Sequence, residues 1–432
     1  MKMKCYLSFC LIYSIIWTLY SCQLSNSTVS VVVKLQETLP NAIITEIEPT
    51  QDFYQTAFEI QLPQPLDHLQ PTQDSFSQLI HLSFVDFNAP VVVETEGYSL
   101  YHFQQHKPLS SLLKANQIII EHRYLGQSKP DSLNWDYLNT KQAAADHHRI
   151  IELLKPFFKT KKWISSGFSK GGQTALFHRR HYPDDVLATV AFNSPIPLAQ
   201  QDKRLYDFFD TIDSDECRQK IMDYQRLVLQ KQEDLLPLFE QYAQKEKITF
   251  KQSSLAIGLE YGVLEYPFSF WQYHHIDCNN IPTAQDSLQI ILDHLTKVVG
   301  FGWLSDKAFG DPTMYQFHTE LGYYGYVTKN VKDLLQHAPF DANNLQFAPN
   351  ANEISFDSTI SKDLKQWLVE KGERILYIYG SNDPWAAAGL QQTNANCIIY
   401  TLPFGNHATF IEDFPTNEQQ EIITLLNQWL DE

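Results

Sequence analysis

Between residues 89 and 195 the chain alternates. Short apolar runs, APVVVETEG (89–97), NQIIIEHR (116–123), KKWISSG (161–167) and LATVAFNSP (187–195), are separated by helix-like stretches, the first over 139–157. Runs of this kind suit strands covered on both faces, and strands that alternate with helices pair in parallel with helices on either side. The pattern returns at RILYIYG (374–380) and CIIYTLP (397–403), before a closing helix over 416–430. Upstream, FYQTAFEIQL (53–62) and FSQLIHLSFVDF (76–87) alternate with period two, as antiparallel strands do, with QPLDHLQPTQ as a turn between them. The predicted class is α/β, with a core over 43–198 and again over 366–432. Residues 199–365 break the alternation with long helical segments and aromatic-rich stretches such as EYPFSFWQYHH and YQFHTELGYYGY. They read as a helical insertion, or cap.

The chain's 432 residues are 44% hydrophobic and 13% aromatic, enough for a large core and too much for a disordered chain. A net charge of −17 without any Lys/Arg-rich block disfavours a nucleic-acid partner.

The first 22 residues read as a signal peptide: a basic start, MKMK, then an apolar run ending in Leu19-Tyr20-Ser21-Cys22. That ending resembles a bacterial lipobox, which makes Cys22 a lipidation candidate and residues 23–42 a tether. An ordinary signal peptide is the alternative, and in a eukaryote Asn26-Ser27-Thr28 would be a glycosylation acceptor. The expected location is outside the cytoplasm: periplasmic or on the cell surface as a lipoprotein, or secreted, with membrane contact only through Cys22. Cys5 and Cys10 leave with the signal. Of the remaining cysteines, Cys397 lies in a strand-like run and reads as a buried thiol, whereas Cys217 and Cys278 share the helical middle region and are the expected disulfide. No metal or cofactor is expected. His147-His148 and His274-His275 are adjacent pairs, and neighbours do not face one ligand.

Chemistry concentrates at WISSGFSKGGQT (163–174), where Gly-x-Ser-x-Gly joins a buried strand to a helix. A serine at such a turn is strained and projects outward, its flanking glycines avoid clashes, and the helix N-terminus leaves the backbone N–H of Lys170 free for an oxyanion. A serine nucleophile also needs a base and an acid that orients the base. Asp383 follows the strand RILYIYG and His407 follows the strand CIIYTLP, in the chain order that this arrangement requires. Gly97 or Tyr98, after the strand at 89–97, is the candidate for the second backbone oxyanion donor. The Lys170 side chain is expected to be solvated.

These motifs, GFSKGGQTALFHRRHYP (167–183), EHRYLGQS (121–128), FEIQLPQPLDH (58–68) and ETEGY (94–98), resemble the secreted bacterial prolyl tri- and tetrapeptidyl aminopeptidase family of serine peptidases, of PS-10 type. That family is distantly similar to lysosomal proline-specific carboxypeptidase and dipeptidyl-peptidase II. The likeness runs from about residue 50 to 415. It implies an α/β-hydrolase fold with an inserted cap, and peptide substrates from whose free N-termini tri- or tetrapeptides are released, often after proline. Ser169, Asp383 and His407 match the family's triad. The lysosomal group carries an aromatic residue after the nucleophile, so Lys170 points away from carboxypeptidase specificity.

A free N-terminus needs a partly buried anion. Glu320 and Glu96 are candidates; Glu121 is a third, with a structural role, pairing with Arg123 or holding a loop, as the favoured alternative. Trp271, Phe270, Tyr323 and Tyr324 are candidates for a proline slot, with simple packing as the alternative. An esterase or lipase on the same core, and a non-catalytic surface lipoprotein, are the competing readings.

Overall fold

The computed structural model describes residues 31–100, 107–273, 277–394 and 396–432. The signal peptide, Cys22, the Asn26 acceptor and the His274-His275 pair lie outside these residues.

Nine strands form one sheet: β1 (Ile43–Ile47), β2 (Thr56–Pro65), β3 (Ser75–Phe84), β4 (Val91–Thr95), β5 (Asn116–Ile120), β6 (Trp163–Phe168), β7 (Ala188–Phe192), β8 (Ile375–Gly380) and β9 (Cys397–Leu402). Their order is β1-β2-β3-β5-β4-β6-β7-β8-β9. β1, β2 and β3 are antiparallel, β3 meets β5 antiparallel, and β5 through β9 run parallel. The exchange of β4 and β5 in the order, the antiparallel start and the parallel remainder are those of an α/β-hydrolase.

Both faces of the parallel strands are covered, which is why they read as unbroken apolar runs. Val91 and Val93 pack with Ile150, Ile151 and Leu154 of α3 (Thr140–Leu154). Val92, on the opposite face, packs with Leu109 of α2 (Pro108–Leu113) and with Ile422 and Leu426 of α12 (Thr416–Asp431). Each such side chain buried is worth about 1.5–3 kcal/mol. Helix α4 (Lys170–His181) lies beside α3.

The tether does not extend to residue 42. Residues 31–38 form a helix, α1, with Val31, Leu35 and Leu39 buried against the α3 side of the sheet. Apolar residues four apart give that segment a stripe to bury.

The insertion is helical: α5 (Lys203–Phe209), α6 (Asp215–Gln230), α7 (Gln232–Glu246), α8 (Leu255–Tyr273), α9 (Leu288–Val299) and α10 (Pro312–Gln316). Helix α8 is its axis, buried over most of its length. A disulfide between Cys217 and Cys278, with Cα atoms 5.4 Å apart, ties α6 to the segment after α8, and Cys397 is a buried free thiol. The cap ends earlier than residue 365. That position falls inside α11 (Ser358–Lys371), which packs on α4 and leads into β8, so the core resumes at Ser358. No helix among the described residues is long and apolar enough to cross a membrane.

Candidate active site

Strand β6 delivers Ser169 onto a turn with φ 56° and ψ −123°, a conformation that costs a non-glycine residue about 1–3 kcal/mol. The turn holds because its surroundings permit nothing larger. A Cβ on Gly167 would lie 2.2 Å from the carbonyl oxygen of Gly171, and one on Gly171 would lie 2.4 Å from that of Thr95. The Ser169 N–H donates to Phe192 O at 2.8 Å, pinning the turn to the end of β7.

Asp383 lies three residues beyond β8 and His407 five beyond β9, and both side chains are fully buried. His407 Nε2 is 2.9 Å from Ser169 Oγ, and His407 Nδ1 is 2.7 Å from Asp383 Oδ2. Asp383 Oδ1 accepts the Trp385 N–H at 3.0 Å. Burial pushes the Asp383 carboxyl up, and the facing imidazole opposes this. Three groups separated by 238 residues of chain thus stand in one hydrogen-bonded line. Such a line can remove the serine proton, hold the resulting imidazolium and return the proton to a leaving group.

Asn193, at the end of β7 with φ 46°, ties the two loops together. Its Nδ2 donates to Thr409 O at 2.8 Å and its Oδ1 accepts the Gly380 N–H at 3.2 Å. The His407 ring is framed by Phe168 at 5.0 Å, Tyr273 at 5.6 Å and Trp385 at 6.5 Å. From the cap, Gln272 O accepts the His407 N–H at 2.9 Å, and Tyr273 O accepts Asn406 Nδ2 at 3.0 Å.

The backbone N–H groups of Lys170 and Tyr98 have no acceptor among the described residues. Gly97 is pressed against the start of α4: a Cβ there would come within 2.6 Å of Lys170 C and Gly171 N. The Tyr98 hydroxyl lies beside that of Ser169. The Lys170 side chain is not solvated. It is 1% exposed, its Nζ donates to Gly97 O at 2.6 Å, and burial pulls its pKa down to about 7. The stem turns inward because the first turn of α4 faces the loop after β4 rather than water.

The carboxylates expected to anchor a substrate are mostly engaged elsewhere. Glu320 Oε2 accepts the N–H of Thr140 at 2.7 Å, capping α3. Its pKa is raised to about 7 by burial. Glu96 is ion-paired with Lys107. The pair lines a cavity of about 270 Å³ with Glu94, whose pKa burial raises to about 7. Glu121 holds a loop, accepting from Leu100 N, Ser128 N and Ser128 Oγ, each at 2.7 Å. It does not pair with Arg123, which binds Asp146 through Nε at 2.7 Å and Nη2 at 2.8 Å. His148 is spent on Asp185 at 2.9 Å.

Of the aromatic candidates, Phe270 is packed inside the cap against Tyr266 and Trp271. Tyr323 and Tyr324 stack at 4.5 Å, each 5.4 Å from Trp385, and Tyr324 lies on Phe268 at 3.7 Å. Trp271 and Phe268 share the lining of a mostly apolar cavity in the cap. Sequence reasoning missed Trp385, although its place two residues after Asp383 was a signal. It also missed Glu265, which is fully buried and accepts from Ser269 Oγ at 2.7 Å and Tyr324 Oη at 2.9 Å. Asp311 was missed as well. It caps α10 through Thr313 N at 2.7 Å, is partly exposed, and its charge acts on Lys170, Tyr98 and Tyr323.

Residues 29–429 match the family described as PS-10 peptidase S37. The prolyl tri/tetrapeptidyl aminopeptidase of Streptomyces mobaraensis is 29% identical over 375 residues, 85% of this chain and 78% of that protein. Lysosomal Pro-X carboxypeptidase of Bos taurus is 36% identical over 94 residues, 19% of each chain. Among solved structures, proline iminopeptidase of Mycobacterium smegmatis aligns with a TM-score of 0.46 at 12% identity, covering 86% of this chain and 98% of that one. With a family match that spans nearly its whole length, this chain belongs to the PS-10 peptidase S37 family and is a serine peptidase.

Proposed function

We propose that this peptidase releases tri- or tetrapeptides from free N-termini, after proline, through an acyl-enzyme on Ser169. The single observation that carries the mechanism is the unbroken line Ser169 Oγ, His407 and Asp383 beneath the cap. In this reading Ser169 attacks the peptide carbonyl as His407 takes its proton, and Asp383 orients the ring and stabilises its cation. The N–H groups of Lys170 and Tyr98 receive the oxyanion. His407 passes the proton to the departing amine, and water then cleaves the ester.

Similarity to the Streptomyces enzyme over most of both chains supports the N-terminal, post-proline specificity. Asp311 is the carboxylate assigned to the substrate ammonium, because it is partly exposed and its charge reaches Lys170, Tyr98 and Tyr323 beside the triad. The stacked Tyr323 and Tyr324 with Trp385 offer the flat apolar surface that a proline ring fits. The disulfide supports export to an oxidising compartment, with lipidation at Cys22 as the anchor.

The test pairs a tripeptidyl-proline amide with its N-acetylated analogue and with a simple acyl ester. Cleavage of the free peptide alone is expected, with tri- and tetrapeptide fragments seen by mass analysis. Equal cleavage of the blocked peptide, or hydrolysis confined to the ester, would reject the reading. Asp311→Asn should raise KM for the free peptide about tenfold, the scale of one charge-assisted contact.

A further inference from the structure

The oxyanion site has two backbone donors of unequal security. The Lys170 N–H is fixed by the helix it begins. The Tyr98 N–H belongs to a loop, and its direction is set by the peptide plane that it shares with the carbonyl of Gly97. No cis peptide occurs among the described residues, and in a trans peptide the C=O and N–H point in opposite directions. Whatever holds the Gly97 oxygen therefore aims the Tyr98 N–H.

That oxygen is held by Lys170 Nζ at 2.6 Å. We propose that the Lys170 side chain is a positioning residue: by gripping the Gly97 carbonyl it turns the Tyr98 N–H toward the space beside Ser169 Oγ, so the residue after the nucleophile organises both halves of the oxyanion site. The inference rests on the reading of Ser169 as the nucleophile.

Three observations support it. The Gly97 Cα lies against the Lys170–Gly171 backbone, so the loop has no room to slide. Lys170 Nζ is 5.7 Å from the centroid of the Tyr98 ring, so the same group also borders the side chain of the residue it aims. The rest of the loop has its own fastenings, His122 N to Tyr98 O at 3.4 Å and Leu100 N to Glu121 Oε1 at 2.7 Å. Removing the amine therefore frees one peptide plane rather than the whole segment. Among the described residues no carboxylate is in hydrogen-bond contact with Lys170 Nζ, and Asp311 and Glu320 offset its desolvation only through space, so the Gly97 carbonyl is the contact that its burial secures.

The test uses Lys170→Met, which keeps the stem and removes the donor, and Lys170→Gln, which keeps a shorter donor. For the tripeptidyl-proline amide, Lys170→Met should lower kcat about 10- to 100-fold with KM within about threefold; complete loss of an oxyanion donor costs about 10²–10³. Lys170→Gln should recover part of that loss. Binding of the intact peptide, measured by calorimetry in a Ser169→Ala background, should be the same with and without Lys170→Met.

A kcat within twofold of wild type in Lys170→Met overturns the proposal. So does a loss of peptide binding that matches the loss of kcat, which would make Lys170 a pocket wall. If Lys170→Met does not fold, Lys170→Gln decides alone: a fall in kcat of more than about twofold with equal peptide binding supports donation to Gly97, and kcat within twofold of wild type, or a fall matched by weakened binding, overturns it. Fluorophosphonate labelling of wild-type Ser169 separates the two levels. No labelling and no cleavage removes the nucleophile itself, whereas labelled, active wild type beside an indifferent Lys170→Met removes only this inference.

Discussion

The backbone N–H of His407 donates to the carbonyl of Gln272, 2.9 Å away at the end of cap helix α8. The imidazole that touches Ser169 is thus carried by a loop fastened to the cap, and Asn406 Nδ2 repeats the fastening on Tyr273 O. Asn406→Ala removes the second contact, worth about 1 kcal/mol, along with the bond within the loop from the Ala408 N–H to Asn406 Oδ1 at 2.9 Å. Expressed as misplacement of the base, that lowers kcat about fivefold while KM stays within twofold. Steady-state kinetics on a proline-containing peptide check this; a change confined to KM would show that the contact shapes the pocket instead.

Ser169→Ala should lower kcat by at least about 10⁴-fold. The replacement removes only a hydroxyl from a strained turn whose backbone contacts remain, so the melting temperature should hold within a few degrees. Substantial residual hydrolysis in a carefully purified variant would contradict the assignment of the nucleophile.

Glu265 gives the cap a pH dependence of definite sign. Burial raises its pKa from 4.5 to about 8. Between those values the folded chain holds a proton that the unfolded chain has lost, so this residue's contribution to stability falls as pH rises through that window. Lys170, lowered from 10.5 to about 7, has the opposite sign, its contribution rising with pH across its own window. Comparing wild type with Glu265→Gln isolates the carboxyl. The variant should lose several degrees less in melting temperature between pH 6 and pH 9, as read by differential scanning fluorimetry. Identical slopes would refute the buried acid.

The Cys217–Cys278 bridge closes a loop spanning 61 residues. In the chain-entropy account such a cross-link stabilises by about 4 kcal/mol. The double variant Cys217→Ser/Cys278→Ser should unfold at lower denaturant while the core triad stays assembled. Activity at low temperature is expected to survive, and a fall in the midpoint of urea unfolding is the measurement.

The triad was legible because each member obeys a local rule that a single chain displays: a turn residue just beyond a buried strand, in the expected order. Lys170 was misread because lysine's ordinary state is solvated, and what overrides it here is a loop 73 residues away. Glu320 was offered as an anchor because nothing near it in sequence reveals that the N-terminus of α3, 180 residues upstream, needs a cap. Phe270 and Tyr324 lie in two aromatic tracts that read alike in the sequence, and only packing separates the one buried within the cap from the one stacked beside Trp385. Residues 31–38 do carry their helical stripe in the sequence. It was obscured because the polar stretch before them reads as a spacer.

The bonds from Gln272 and Tyr273 to the histidine loop carry one more implication. Swinging the cap open like a roof would drag the imidazole from the hydroxyl, so opening and catalysis compete. A guest that enters beneath a closed roof must thread its way in, and a loose chain end threads where the middle of a folded domain cannot. Preference for termini would then begin as a matter of doorway width, before any charge is read.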